Sequence, residues 1–323
     1  MPRSGERPGW VQFLAGRLLA GASTLAVLSV LIFTATAVLP GDASGSLAGP
    51  DASAAERAAI RAELGLDRPA AERYLDWAAG VLRGDLGTAW VGGRPVAELL
   101  ADRLPVSALP AGLALVVIVP LASGLGLLAG MRAGRGADRA VSAGALVTAA
   151  VPEFLTASLL VAVFAGWLRW LPRGSMVPLG ESPLADPQIL VLPVACLCLV
   201  GLATATRLVR ASAAEVAATP YVESARLNGV RGLRLAFAHV LPNAAGPAVQ
   251  VVAVVVGALV GGAVVVETLL GYPGVGLELA QAVARRDVPV VQGLTLALAA
   301  VALAALLLGD VVRRLLDPTG RYR

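Results

Sequence analysis

Long apolar runs dominate the pattern of hydrophobic and polar positions along this chain. Five runs contain no Asp, Glu, Arg or His, and a sixth is interrupted only by Glu153; in chain order the six are 18–41, 104–131, 140–168, 187–206, 240–266 and 288–309. Each is long enough to supply the roughly 20 residues that cross a hydrocarbon core. The pattern predicts an all-α polytopic membrane protein with six transmembrane helices.

The first run also has features of a secretory signal. Arg3, Arg7 and Arg17 precede it, and Ala35-Thr36-Ala37 imitates a cleavage site. The apolar region of a signal is usually about 7–15 residues long, whereas this run extends well past that length. We therefore expect it to remain attached as the first span.

Composition and charge agree with a bilayer setting and indicate an orientation. The 323 residues are 57% hydrophobic and 15% charged, and the chain contains no lysine. If the N-terminus is cytoplasmic, the inside segments 1–17, 132–139, 207–239 and 310–323 carry 15 Arg against 6 acidic residues, and the rest of the chain carries 11 Arg against 16. This asymmetry follows the positive-inside rule and predicts a multi-pass protein with both termini cytoplasmic. The excess of arginine thus reflects the orientation of the chain in the membrane, where lipid is its surrounding partner. A nucleic-acid partner is not expected, because the arginines form no single basic face.

The spans divide the chain into three parts: the N-terminus and first span (1–41), an extracytoplasmic segment (42–103), and a core of five spans (104–323). Within the middle part, Ala54–Leu64 and Ala70–Leu82 are predicted as short helices, the first entered from Ser53 and the second ending before Gly84. Their apolar residues either form a compact cap packed on the helices, which we expect, or lie on the membrane interface; they are Ile60, Leu64, Leu66, Tyr74, Leu75 and Trp77.

A second polar segment, 207–239, interrupts the apolar pattern on the cytoplasmic side. Thr219 is suited to an N-cap and Pro220 to the first helical position, and Asn228-Gly229 supplies a stop. A second short helix, Leu233–His239, is expected to follow and to be closed by Pro242. The pair is too short and too polar to cross the membrane, so we expect it to face the cytoplasm.

This loop carries residues at a recognisable spacing. Glu223 and Gly229 are followed, after a further stretch, by Leu241-Pro242. The arrangement resembles the Glu-Ala-Ala…Gly…Leu-Pro signature of binding-protein-dependent ABC importer permeases, in which the loop forms a helix that enters a groove of the ATPase subunit. The sequence departs from it at Ser224, where alanine is usual, and at His239, where an aliphatic residue is usual. The resemblance implies an ATPase-coupling loop over 207–242 whose residues are Tyr221, Glu223, Ser224, Ala225, Gly229, Leu241 and Pro242.

Such a loop makes physical sense, because a short helix on a rigid hairpin between two spans transmits a push in either direction. The small residues Ser224 and Ala225 would let a partner approach closely, and Gly229 would permit the sharp turn into the second helix. The alternative is an ordinary amphipathic hairpin on the surface.

Further segments resemble the dipeptide, oligopeptide and nickel branch of these permeases. They are 39–42, 63–69, 84–87, 94–96, 151–154, 261–268, 272–276 and 286–293, and the resemblance runs from about Arg17 to Pro318. It implies a type I ABC importer permease fold in the bacterial cytoplasmic (inner) membrane, with a small extracytoplasmic insertion between helices 1 and 2. It also implies a heterodimer with a second related permease, two cytoplasmic ABC ATPase subunits and an extracytoplasmic solute-binding protein. The substrate stays open between di- or oligopeptides, nickel and glycosides.

The resemblance implies that this chain is a transport subunit and not an enzyme, and the sequence independently indicates that the ATPase is a separate protein. A phosphate-binding Walker A loop needs a lysine, which is absent here, so ATP and Mg are expected on partner subunits and no cofactor on this chain. His239 is the single histidine, which excludes a His-Glu-x-x-His zinc site. The sequence also offers no plausible set of catalytic residues for an intramembrane hydrolase. A secondary transporter or channel working alone is the main alternative, but the inverted repeats typical of one are not apparent.

Two carboxylates within the spans are candidates for the translocation pathway. Glu153 lies near the middle of the third span, where an ionisable group costs a few kcal/mol unless it faces a cavity or a partner. It either lines the pathway, favouring a peptide amino terminus or another cation, or fixes packing against a neighbouring helix. Glu267 lies nearer the outer end of the fifth span, where a wet interfacial position accounts for it and a role in a gate is the alternative.

Overall fold

The computed structural model describes residues 9–38, 52–177 and 182–316, together with Gly45 and Gly49. Within these residues the secondary structure is helical apart from one isolated β-bridge between Thr88 and Pro95. The α-helices are α1 Trp10–Val38, α2 Ala54–Glu63, α3 Ala70–Leu82, α4 Val96–Gly130, α5 Gly136–Ala150, α6 Glu153–Leu160, α7 Gln188–Ala217, α8 Pro220–Leu227, α9 Gly232–Leu235, α10 Leu241–Leu270, α11 Val275–Arg285 and α12 Val288–Leu316. Helix α6 continues as a π-helix over Val161–Trp167, and α9 does so over Ala236–Val240.

Five segments are long and apolar enough to cross a membrane, and they correspond to five of the six predicted spans. They are α1, α4, α7, the Gln250–Leu270 part of α10 and the Val288–Leu315 part of α12. The helices extend beyond the uncharged runs from which they were predicted; α7, for example, continues to Ala217 although its apolar run ends at 206. Arginine does not end a helix, so a search for uncharged stretches underestimates its length.

The third predicted span is not one straight helix, which corrects the prediction made for 140–168. Helices α5 and α6 meet at an angle of 97°. Pro152 lacks a backbone N–H and disfavours helical geometry at the residue before it, and Val151 is accordingly extended (φ −83°, ψ 122°). Glu153 is therefore the first residue of α6 and not a mid-helix residue. Counted as one broken span, the bent pair completes the six that were predicted.

One compact unit comprises the described residues up to Ala101 together with 281–303. In it α3 packs against α1: the ring of Phe33 lies 5.4 Å from that of Tyr74 and 6.1 Å from that of Trp77. The hydroxyls of Ser29 and Tyr74 are hydrogen-bonded at 3.0 Å. The predicted cap is thus confirmed for Tyr74 and Trp77, whereas Leu75 is 64% exposed.

The start of α2 and the turn before α4 are fixed by side chains that satisfy backbone N–H groups. Ser53 accepts the N–H of Glu56 and the Glu56 carboxylate accepts that of Ser53, which forms a capping box. The buried carboxylate of Asp287 accepts the N–H groups of Trp90 and Val91 at 3.1 and 2.9 Å. These bonds fix the segment that leads into α4.

A second unit comprises 102–280 and the described residues from Ala304 onward. Its core lies between α4, α6, α7 and α10, with Ile118, Leu197 and Leu259 among the buried side chains. Helix α4 approaches α7 closely at Gly126 and Gly130: a Cβ on either would lie 2.7 Å from the side chain of Val209 or Ala213. Small residues four apart allow this contact between membrane helices.

Helix α5 is joined to α7 by an ion pair. The guanidinium of Arg210 donates to both carboxylate oxygens of Asp138, at 2.8 and 2.7 Å. Asp138 also accepts the Gly134 N–H at 2.8 Å and the Ser142 hydroxyl at 3.2 Å. Because the carboxylate is buried and its partners come from several directions, it holds the two helices in one arrangement.

Candidate functional site

The 207–242 loop contains the first predicted short helix. Helix α8 starts at Pro220 and ends at Leu227, and the chain then turns at Gly229 with φ +83°. These boundaries confirm the prediction from Thr219, Pro220 and Asn228-Gly229. The Thr219 hydroxyl does not cap α8, however; it donates to the carbonyl of Val216 at 2.8 Å.

The second short helix begins as predicted but does not close at Pro242. The backbone remains helical from α9 through the π-helical stretch into α10, whose first two residues are Leu241 and Pro242. Proline is tolerated in the first turn of an α-helix, because the N–H groups there have no intrahelical partner. Residues 207–217 likewise belong to α7, so the loop is a hairpin held between the ends of two long helices.

One face of α8 is buried in the chain's own core. Val222 is 0% exposed and Ala225 is 8% exposed, and both pack with Leu127 of α4 and Ala213 of α7. The expectation that Ala225 offers space to a partner is therefore wrong: three residues after Val222, it lies on the same inward face of the helix. Its small side chain allows α8 to approach α4 and α7.

Other positions of the hairpin are exposed, and several of them are apolar. Its large exposed side chains are Tyr221 (53%), Leu227 (83%), Leu233 (77%) and Phe237 (57%). We call these four residues the outer apolar face. The Tyr221 hydroxyl is hydrogen-bonded to Nδ1 of His239 at 2.9 Å, and their rings are 5.6 Å apart, so an aromatic pair braces α8 against the returning segment of the hairpin.

Glu223 and Ser224 lie on the exposed side of α8. The structure gives the Glu223 side chain no hydrogen bond or ion pair with any of the residues that it describes. Its carboxylate is therefore open to solvent and available to a partner.

Glu153 opens onto a small cavity of mixed polar and apolar lining at the bend between α5 and α6. The cavity has a volume of about 200 Å³, and its polar lining includes Glu153 and the threonines Thr148, Thr156 and Thr204. A Cβ at Gly262 of α10 would lie 3.3 Å from a carboxylate oxygen of Glu153. The glycine therefore leaves room for the carboxylate next to α10.

Glu267 is not in the wet interfacial position that the sequence predicted. It is 2% exposed, and its Oε2 accepts the backbone N–H of Gly276 at 2.7 Å. Beside it, the hydroxyl of Ser107 in α4 accepts the N–H of Val275 at 2.8 Å. The first N–H groups of α11 have no acceptor within the helix. The two side chains, one from α10 and one from α4, provide acceptors for them.

The Gly274-Val275-Gly276 part of the motif has a steric basis. A Cβ on Gly274 would collide with the carboxylate of Glu267 and the hydroxyl of Ser107, and one on Gly276 would collide with the backbone of Val264. The adjacent Tyr272 is fully buried, and its hydroxyl donates to the carbonyl of Val106 at 2.9 Å. Sequence reasoning found this motif by resemblance but missed its physical cause, which is a close junction of α4, α10 and α11.

The described residues contain no group of three or more His, Cys, Asp or Glu side chains that could hold a metal ion. Cys196 is 1% exposed and belongs to the apolar core between the helices.

Comparison with known proteins identifies the family. Residues 122–322 match the family described as binding-protein-dependent transport system inner membrane component. Residues 10–109 match the family that describes the N-terminal part of such membrane components.

Permeases that match nearly the whole chain support this assignment. A putative peptide transport system permease protein of Brucella abortus (strain 2308) is 33% identical over 306 residues, covering 95% of this chain and 98% of that protein. A probable peptide ABC transporter permease protein of Sinorhizobium fredii is 31% identical, covering 96% and 99%. The glutathione transport system permease protein of Escherichia coli O6:H1 is 32% identical, covering 97% and 100%. The chain belongs to the family of binding-protein-dependent transport system inner membrane components and is a permease of the dipeptide, oligopeptide and nickel ABC importer type.

Proposed function

We propose that this permease imports di- or oligopeptides and is driven by separate ATPase subunits that bind the 207–242 loop. The observation that carries the proposal is the outer apolar face, whose residues are exposed on a hairpin that Val222 and Ala225 anchor in the core. Exposed apolar side chains grouped on a rigid surface are typical of protein interaction sites.

The packing of the loop supports a role in transmission. Val222 and Ala225 fix α8 to α4 and α7, and Pro242 lies within the first turn of α10. A push on α8 is therefore passed to membrane helices instead of being absorbed by a flexible segment. The exposed carboxylate of Glu223 adds a charged contact point beside the outer apolar face.

The substrate class is supported by relatives and by one cavity. The Brucella and Sinorhizobium proteins are named for peptides and the Escherichia protein for glutathione. In the cavity at the α5–α6 bend, Glu153 offers a negative charge and three threonines offer hydroxyls, which suits the ammonium and amide groups of a peptide. We place Glu153 on the translocation pathway on this ground.

The assembly follows from the same proposal. The chain pairs with a second related permease, two ATPases bind on the cytoplasmic side, and an extracytoplasmic solute-binding protein delivers the substrate. The arginine asymmetry supports an orientation with both termini and the 207–242 loop in the cytoplasm.

The test is to weaken the outer apolar face in the full complex. Leu227→Ser and Phe237→Ser each remove an exposed apolar contact, and together they should lower ATPase binding by about tenfold. The measurements are the amount of ATPase co-purified with the permease pair and the hydrolysis stimulated by the binding protein. Leu75→Ser is the matched control, because this leucine is 64% exposed on α3.

Unchanged ATPase binding in the double variant would place the coupling surface elsewhere. Uptake by the chain reconstituted alone and driven by an ion gradient would instead favour a secondary transporter.

A further inference from the structure

A second and larger cavity lies in the unit formed by the described residues up to Ala101 together with 281–303. Its volume is about 550 Å³. Its walls come from the last turns of α1, the end of α2 and its connection to α3, one side of α3, Trp90, the end of α11 and the first turns of α12. Neither the 207–242 loop nor Glu153 contributes to it, so the proposed function assigns it no role.

The lining of this cavity is strongly cationic. Arg61, Arg68, Arg73 and Arg286 line it, and Asp76 is the one carboxylate among the lining residues that the structure describes. Asp76 already pairs with Arg68 at 2.7 Å, and Arg61 pairs at 2.7 Å with Asp67. The other nearby carboxylate, Glu72, lies 3.5 Å from Arg68.

The other two arginines of the lining, Arg73 and Arg286, differ from Arg61 and Arg68. Neither has an ion pair with any residue in the described part of the chain. The guanidinium of Arg73 lies 5.9 Å from the centre of the Phe33 ring, which orients it but does not neutralise it. The two arginines thus leave an excess of positive charge in the cavity.

Two buried donors in the same walls are also unsatisfied. Nε of Arg73 and Nε1 of Trp77 have no hydrogen-bond partner among the described residues, although both atoms are buried. Such donors are rare because leaving one unpaired is unfavourable. An anionic oxygen ligand would satisfy both donors and the charges of Arg73 and Arg286.

The position of the cavity identifies the source of the anion. Phe33 and Thr36 lie in the last turns of α1, and Val288 and Gln292 lie in the first turns of α12, so the cavity is at the ends of two membrane spans. This is the headgroup level, where tryptophan is enriched. Only 6% of the apolar stretch of α1 is buried, which leaves the surface of this helix open to acyl chains.

We propose that this cavity binds the phosphate headgroup of an anionic phospholipid. Arg73 and Arg286 pair with the phosphate, the indole N–H of Trp77 donates to one of its oxygens, and Phe33 together with Val288 contacts the start of the acyl chains. The bound lipid fills a gap between α1, α3 and α12 that protein side chains leave open.

The experiment measures lipid retained by the purified full complex. Native mass spectrometry after delipidation and titration with phosphatidylglycerol counts bound lipid for the wild type and for Arg73→Gln, Arg286→Gln and the double variant. We expect the double variant to bind phosphatidylglycerol about tenfold more weakly and each single variant to lie between. Arg83→Gln is the matched control, because Arg83 is exposed at the end of α3 and does not line the cavity.

Three results would overturn the proposal. The first is equal retention of phosphatidylglycerol by the wild type and the double variant, and the second is wild-type retention of phosphatidylcholine as tight as that of phosphatidylglycerol. The third is displacement of the lipid by millimolar glycerol 3-phosphate or inorganic phosphate, which would assign the site to a soluble phosphate. If the double variant does not assemble, the single variants and the lipid competition on the wild type decide the question.

Discussion

The carboxylate of Glu267 accepts the backbone N–H of Gly276 at 2.7 Å and so attaches the last turns of α10 to the first turn of α11. A charged side chain in an apolar span is commonly interpreted as part of a transport path. Here it accepts a hydrogen bond from the start of a helix. At the same junction the Ser107 hydroxyl accepts a second backbone N–H, and Gly274 leaves room for both side chains.

Replacement of Glu267 should therefore reduce stability. Glu267→Ala leaves buried N–H groups of α11 without an acceptor, which costs about 1–3 kcal/mol. Glu267→Gln keeps an oxygen in place and should cost less. The thermal midpoint of the purified permease pair in detergent measures both, with the exposed Glu63→Ala as control. Wild-type stability in the alanine variant, with altered transport, would support the gate alternative.

At Gly229 the backbone conformation should matter more than the size of the side chain. A Cβ there meets no atom within 4 Å, but φ is +83°. Gly229→Val should disturb the turn by about 1–2 kcal/mol, whereas Gly229→Asn should be tolerated better because asparagine adopts this region more readily. Binding-protein-stimulated ATP hydrolysis should fall in the order wild type, asparagine, valine. Equal hydrolysis in all three would show that the turn at Gly229 does not set the docking angle of α8.

Glu153→Gln removes the negative charge of the cavity at the α5–α6 bend and keeps its size. If this cavity belongs to the pathway, transport of cationic peptides should fall several-fold relative to neutral ones, since one exposed charge pair contributes up to about 1 kcal/mol. Uptake by proteoliposomes containing the full complex measures this ratio, and Glu98→Gln, an exposed residue at the start of α4, is the control. Loss of assembly with an unchanged ratio would support a packing role.

Orientation can be tested with single cysteines in a background without Cys196 and Cys198. Ser182 precedes α7 and is exposed, and Ser224 is exposed on α8. Ser182→Cys should react with an impermeant thiol reagent in intact cells, and Ser224→Cys only after permeabilisation. Reaction of Ser224→Cys from outside would reverse the orientation inferred from the arginines.

Residues with local signals were predicted well. The helix start at Ser53, the proline at the start of α8 and the turn at Gly229 each depend on neighbours in sequence, and the structure has all three. The long spans were recognised because uncharged apolar runs of about 20 residues or more are typical of helices that cross a bilayer.

Features that depend on distant contacts were not predicted. Asp138 and Arg210 are 72 residues apart, and no local sequence pattern around either residue predicts the pair. The inward position of Ala225 depends on where α4 and α7 lie, and the role of Glu267 depends on α11 beginning beside it. The bend at Pro152 had a local cause that the long apolar run of 140–168 obscured.

The continuity of α7 has a mechanical consequence. After Pro193 the helix runs without another proline from Val194 to Ala217, a rod about 36 Å long that ends at the turn into α8. Rotating a rod of that length by about 10° displaces its far end by about 6 Å, which is more than one helical turn. A small tilt of α7 about its hairpin end is therefore geometrically amplified at the opposite end of the helix.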